Sequence, residues 1–417
     1  MSHVPFVSAT KIKRLPLRLQ DALRDVMSTY CGDVFPCASV AVFHHGELLM
    51  DAAWGWIDPE IRRPVSSTSH RYDLASVTKL FTTTAFLALV SKGSVTLDTP
   101  LVQVIPEFGH ESPRPIDGGQ NPHTREMQPP DPAFAGQVVD PAQVTFRHLL
   151  THTSGLAPWR AIFAAAGSPP PPPDIPDLIG RQRRWGRGLE AICSAPFVGQ
   201  PGGIVRYSDL GLMLLGEAVA RLHSTSAKLE DAIRQLVLAP LGTSDLIFNP
   251  VAQGIPRGEI APTEFDALWR KRRVWGEVHD ENACGVGGVA GHAGLFGTAH
   301  SIASFGQTWL ENPARTFQID PGLAEDAKRE HAASEGNRRG LGFQLRGVED
   351  PAATLQSSQK TYGHTGFTGT SLWIDPEARL VIACLTNYVY MGREKEGLHD
   401  FRKALHGCIY THLVESA

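Results

Sequence analysis

The sequence predicts an α/β (α+β) protein in which a sheet-bearing lobe, built from both ends of the chain, encloses a mainly helical lobe from its middle. Three observations lead there. Strand-like runs cluster near the two termini. Apolar and amphipathic runs of helical length dominate the centre. The length of 417 residues allows a large core divided between two lobes. Residues 1–100 and 290–417 are assigned to the sheet lobe and 101–289 to the helical lobe with its long loops. The crevice between lobes is the expected ligand site.

The elements follow in order. Leu17–Tyr30 is amphipathic at helical spacing, with Pro16 suited to its first turn. Ala38–His44 and Glu47–Trp54 read as strands joined at His45-Gly46. An apolar helix begins at Ser76 and closes at Lys92-Gly93, glycine suiting a left-handed terminal position. Thr145–Thr151 is a short helix, followed by the turn Thr153-Ser154-Gly155. Asp209–Leu222 and Ala227–Leu238 are helical patterns. Leu341–Val348, Thr370–Asp375 and Leu380–Thr386 read as strands, and Leu398–Leu413 as a terminal helix. Asp117–Pro141, rich in Pro, Gly, Asn and Gln, is a long loop. Ser168–Asp174 contains an unbroken proline run and reads as a polyproline II rod, either a surface connector or a wall of the cleft mouth. The basic cluster Arg181, Arg183, Arg184, Trp185 and Arg187 reads as a solvated or salt-bridged helix face.

Composition excludes several function classes. A chain 42% hydrophobic and 20% charged matches a soluble globular protein. A formal charge of −4 gives no electrostatic case for nucleic acid or an anionic membrane as partner. No stretch approaches the roughly 20 apolar residues of a membrane span. Met1–Leu17 lacks an apolar leader core, so the expectation is a cytoplasmic protein. The six cysteines form no Cys-x-x-Cys pair and read as reduced, mostly buried thiols. His148 and His152 stand four apart without the glutamate of a zinc protease between them. They, like His279-Asp280-Glu281 and His292, read as packing and turn residues. The expectation is no metal and no cofactor; the sequence leaves oligomeric state open.

The chemistry is carried by Ser76-Val77-Thr78-Lys79. Residues three apart share a helix face, so a hydroxyl and an amine meet at this helix start. The helix N-terminus offers unpaired N–H groups and positive potential to an oxyanion beside the serine. A lysine held there away from water is expected to lose some of its preference for charge, and so to accept the Ser76 proton.

Two further segments keep company with that helix start: Tyr207-Ser208-Asp209 before a second apolar helix, and His364-Thr365-Gly366 before a strand. Together the three resemble the motifs of the serine β-lactamase and penicillin-binding-protein superfamily. The middle motif is similar to the Tyr-x-Asn type of the class C β-lactamase and related esterase branch. His148-Leu149-Leu150-Thr151-His152-Thr153-Ser154-Gly155-Leu156, Pro240-Leu241-Gly242-Thr243 and Gly291-His292-Ala293-Gly294-Leu295-Phe296 strengthen the resemblance, which runs from about Ser39 to Asn387. It implies a β-lactamase/transpeptidase-like fold: an antiparallel sheet flanked by helices, an all-helical lobe, and an active site between them. It implies Ser76 as nucleophile of an acyl-enzyme, Lys79 as acceptor or relay of its proton, and Tyr207 as a second base whose phenolate is favoured beside a charged lysine. It implies an oxyanion hole from the N–H groups of Ser76 and Phe367, with Gly366 allowing close approach of the strand.

Two residues depart from the β-lactamase pattern. His364 stands where lysine is usual, and supplies less constant positive charge toward a substrate carboxylate. Asp209 stands where asparagine is usual; an ionised carboxylate accepts hydrogen bonds and does not donate. Asp209 is left to recognise an amine, to pair with Lys79, or to cap the following helix. With Thr365 completing the substrate-facing set, the expected substrate is a small ester, amide or β-lactam. Carboxylesterase ranks first, then β-lactamase, then D-amino-acid or muropeptide peptidase. The reading from another class is a ligand-sensing module without catalysis.

Overall fold

The structure, a computed structural model, describes residues 6–9, 15–62, 65–224, 228–347 and 356–415. Ala227 and Val348, which the sequence reading placed at element ends, lie outside the described residues, as do residues 1–5 and 10–14 of the N-terminal segment.

The largest sheet draws strands from both ends of the chain: β1 (Phe6–Ala9), β2 (Cys37–His44) and β3 (Glu47–Gly55), then β4 (Ala332–Ser334), β5 (Asn337–Arg339), β6 (Gln344–Leu345), β7 (Tyr362–Thr365), β8 (Ser371–Asp375) and β9 (Leu380–Thr386). Their order is β1-β3-β2-β9-β8-β7-β6-β5-β4, with antiparallel pairing throughout. Alternation along the central strands divides two cores. Leu380, Ile382 and Cys384 of β9 join Val40 and Val42 of β2 against Leu19 and Leu23 of α1 (Leu17–Tyr30) and Phe401 and Leu405 of the C-terminal helix Leu398–Leu413. Val381, Ala383 and Leu385 face the other core, shared with α2 (Thr78–Ser91), α3 (Asp209–His223) and α4 (Ala299–Glu311).

α2 is buried on nearly every side, as a helix apolar all round must be. Two of its buried hydroxyls find carbonyls: Thr82 Oγ1 donates to Gly291 O at 2.8 Å and Thr84 Oγ1 to Leu80 O at 2.7 Å. The 291–294 segment lies so close to α3 that a Cβ on Gly216 would stand 2.8 Å from Gly291 Cα. This close approach explains glycine at both places.

Local departures from expectation have local causes. Leu341–Val348 yields only the two-residue strand Gln344–Leu345, because Gly342 takes φ +76° and turns the chain before it. The helix after residue 228 begins at Leu229 and contains a wide π turn, Arg234–Leu238, before Pro240 and the left-handed Gly242 end it. The hairpin of β4 and β5 had no counterpart in the sequence reading. Ser168–Asp174 is a surface connector: Pro170 O accepts from Arg272 at 3.0 Å and Asp174 pairs with Arg257 at 2.6 Å. The neighbouring basic cluster is salt-bridged, Arg184 to Asp177 at 2.6 Å and Arg181 to Glu230. All six thiols are free and five are buried. Among the described residues no helix is long and apolar enough to cross a membrane.

Candidate active site

Ser76 sits in a tight turn that runs directly into α2. Ala75 before it holds φ +46°, uncommon for a residue with a Cβ, and its N–H donates to Asp73 Oδ1 at 2.9 Å. The turn after β7 is stitched onto the same backbone. Thr368 Oγ1 donates to Asp73 O at 2.7 Å and Thr370 Oγ1 to Leu74 O at 3.0 Å. Gly366 N donates to Thr370 O at 2.7 Å, and Gly369 N to Gly366 O at 3.1 Å, so Phe367 and Thr368 form the tip of a closed turn. A Cβ on Gly366 would lie 2.6 Å from Leu74 O. Glycine is required there for the strand to reach the Ser76 turn.

Lys79 follows one helical turn later, 1% exposed. Its Nζ lies 2.9 Å from Ser76 Oγ, 2.7 Å from Asp209 Oδ1 and 3.2 Å from His292 O. Ser76 Oγ and His292 O accept hydrogen bonds from the ammonium, and the Asp209 carboxylate is its ion-pair partner. The Tyr207 ring centre is 4.8 Å from Nζ, and Lys79 and Ser76 both act on its phenol. Alcohol, ammonium and phenol from two remote segments therefore converge.

The electrostatics correct two expectations. Burial does press the Lys79 pKa down, but the charge of Asp209, with help from Tyr207, outweighs it and holds the amine above the ordinary lysine value. Lys79 is an ammonium at rest, not the partly neutral base expected. Burial raises the Tyr207 pKa, Lys79 opposes it, and Asp209 raises it again; the net is upward, so the resting group is a phenol rather than the expected phenolate. Asp209 does not cap α3. The cap is Ser208, whose Oγ accepts from Gly211 N at 3.2 Å, and Asp209 pairs with Lys79.

His364 is buried at the end of β7, and its Nδ1–H donates to Thr365 O at 2.7 Å. Burial, then the charges of Lys79 and Arg339, hold its pKa well below the usual histidine value, so it is neutral. His152 packs 4.7 Å from the Tyr207 ring and accepts from Ser208 N at 3.1 Å; His148 completes a capping box with Thr145. Both are structural, as the sequence suggested.

A cleft of about 590 Å³ opens over this cluster. Ser76, Tyr207, Asp209, His364, Thr365, Gly366 and Phe367 all line it, with Lys79 beneath. Pro122 and His123 of the 117–141 loop also line it; residues 168–187 do not, which removes the cleft-wall reading of the polyproline segment.

A further set of residues beside the cleft was missed. His279, read as a packing residue, stacks on the Phe367 ring at 5.7 Å and pairs with Glu264 at 3.0 Å. Arg393 bridges Glu264 and Glu281, the latter at 2.6 Å. Burial works to raise the Glu264 pKa, but His279 and Arg393 bring it down to about 2. Arg339 lines the cleft with its guanidinium 5.3 Å from the Tyr207 ring. Nothing local in the sequence announces this set, since its partners are more than a hundred residues apart. Asp209, Asp280 and His292 bring ligand atoms within 4.8 Å of one another. These donors are committed elsewhere: Asp209 to the Lys79 ammonium, and Asp280 to His292 Nε2 at 2.8 Å.

An antiparallel sheet packed with helices, over which a serine, a lysine and a tyrosine meet in a cleft, defines the class of serine hydrolases with the β-lactamase/transpeptidase fold. The chain belongs to the Beta-lactamase family, whose sequence model matches residues 21–406. A protein of Escherichia coli (strain K12) provisionally named D-alanyl-D-alanine carboxypeptidase is 30% identical over 374 residues, covering 85% of this chain and 78% of that one. Solved structures share the fold at lower identity. EstCE1, a hydrolase with promiscuous acyltransferase activity, superposes with TM-score 0.67 at 19% identity over 94% of this chain and 99% of its own. A penicillin-binding protein homologue from Caulobacter crescentus gives 0.66 at 19% identity over 98% and 100%.

Proposed function

We propose that the protein hydrolyses carboxylic esters through an acyl-enzyme on Ser76. The observation that carries this reading is the 2.9 Å contact between Ser76 Oγ and Lys79 Nζ at the floor of the cleft. Oγ attacks the acyl carbon, and the N–H groups of Ser76 and Phe367 receive the oxyanion. The phenol of Tyr207 delivers a proton to the leaving group and later orients water. Neutral His364 supports esters over β-lactams, because it brings no charge of its own to a ligand carboxylate.

A second reading, a D-amino-acid carboxypeptidase, is favoured by the 30% identical relative and by the Arg339 guanidinium in the cleft, which suits a terminal carboxylate. A short-chain nitrophenyl ester, a chromogenic cephalosporin and D-alanyl-D-alanine, assayed side by side on wild type, separate the readings. The ester is expected to give the highest kcat/KM. Turnover of the dipeptide alone contradicts the esterase reading, and turnover of none supports the ligand-sensing alternative.

A further inference from the structure

The hydrogen bonds of Lys79 pose a problem for acylation. The Asp209 carboxylate, 2.7 Å from Nζ, holds Lys79 as an ammonium, and an ammonium has no lone pair to receive the Ser76 proton. The phenol of Tyr207 is likewise protonated at rest. A base is needed, and the closest carboxylate to Nζ is Asp209 at 2.7 Å. An asparagine at this position accepts a hydrogen bond but takes no proton.

We propose that Asp209 is the terminal proton acceptor of acylation, acting through Lys79. This rests on the reading of Ser76 as nucleophile. As Oγ bonds to the acyl carbon, its O–H breaks and a new Nζ–H forms. A different Nζ–H breaks and a proton forms on Asp209 Oδ1. The carbonyl π pair moves onto oxygen, so the negative charge passes from Asp209 to the oxyanion while Lys79 stays an ammonium throughout. On collapse, the bond to the leaving group breaks. Tyr207 protonates the leaving oxygen and is reprotonated by Lys79, which recovers its proton from Asp209. Deacylation repeats the cycle with water.

Substrate binding favours the transfer. The Asp209 side chain is 18% exposed and lines the cleft, so a bound acyl group excludes water from the Asp209–Lys79 pair. The other ionisable groups facing this pair are Tyr207, Asp280, His292, His152, His364 and Arg339. Asp280 is held by His292 and by the N–H of Ala283 at 2.7 Å, which leaves Asp209 as the acid in contact with Lys79.

The test is the pH profile of kcat/KM for nitrophenyl acetate, whose leaving group needs no protonation, on the full chain. The acid limb of the wild-type profile is the reference. In D209N the base must be Lys79 itself, freed of the charge that holds its proton, so activity appears only as that amine deprotonates. The limb moves up by about one pH unit or more. At neutral pH kcat falls about tenfold or more while KM changes less. D209E restores a carboxylate and returns the limb to the wild-type position. A limb unmoved in D209N, with only a lower kcat, overturns the proposal and leaves Asp209 a structural partner. If D209N does not fold, a limb displaced upward in D209E overturns it equally. S76A separates the layers: inactive S76A with an unmoved D209N limb removes this proposal alone, whereas active S76A removes the nucleophile reading beneath it.

Discussion

Two ion clusters, one with a buried cation and one with a partly exposed cation, border one cleft. In the first, Lys79 is held by Asp209 and touches the Ser76 hydroxyl. In the second, Arg393 is held by Glu264 and Glu281, and lies 5.8 Å from the ring of Phe367. Both clusters answer the same problem, a cation removed from water that needs carboxylates to compensate it. They differ in what the cation contacts besides its acids. The lysine is a compact donor set against a reactive oxygen. The guanidinium is a planar fork, never a proton acceptor in a protein, that ties Thr263–Phe265, the 280s and the segment after β9 together under the oxyanion-side turn. On the proposed mechanism the first cluster moves a proton, while the second holds a wall still.

Substitutions sharpen that contrast. The largest effect is expected at the first cluster: Ser76→Ala lowers kcat by at least about 10³-fold with little change in thermal unfolding. At the second cluster the main effect falls on stability. Glu264→Gln leaves Arg393 short of a partner in a buried site. The Glu264 pKa of about 2, against its ordinary 4.5, corresponds to about 3 kcal/mol of stabilisation at neutral pH. A depressed carboxylate stabilises above its unfolded pKa and ceases to do so as pH falls through its folded one. Denaturant unfolding of wild type and variant is therefore expected to differ most above pH 4.5 and to converge as pH falls toward 2. A gap that widens in acid contradicts this.

Between the clusters lies the turn at Gly366. Gly366→Ala puts a methyl against Leu74 O and pushes the Phe367 amide away from Ser76. The expected loss is about 1–3 kcal/mol, read as roughly 5- to 150-fold in kcat/KM. The smallest effect is expected at the rim. Arg125 approaches Glu281 at 3.9 Å from the 117–141 loop, and Arg125→Ala is expected to raise KM about two- to threefold and leave kcat unchanged.

The same contrast explains what could be read from the chain. Ser76 and Lys79 share one helix turn, Tyr207 just precedes a helix and His364 lies near the end of a strand, so each could be picked out from a short pattern. Asp209 was visible as a residue but not as a partner. Its neighbour Ser208 takes the cap, and only the packing of α3 against α2 aims the carboxylate at Lys79. The protonation states were misread for the same reason: burial acts on one residue, while the opposing charge comes from another element. The Arg393 cluster was invisible, because its acids come from a loop and a short helix far away in sequence. In the sheet, the long alternating strands β2, β8 and β9 were legible, while β4, β5 and β6 are too short to alternate and are fixed by pairing alone.

Labelling with a fluorophosphonate, followed by intact mass and peptide mapping, tests the central claim most directly. One phosphonyl group per chain is expected, on Ser76, blocking ester hydrolysis in proportion to its occupancy. Undiminished hydrolysis by fully labelled protein, or a label on another residue that alone abolishes activity, contradicts the account.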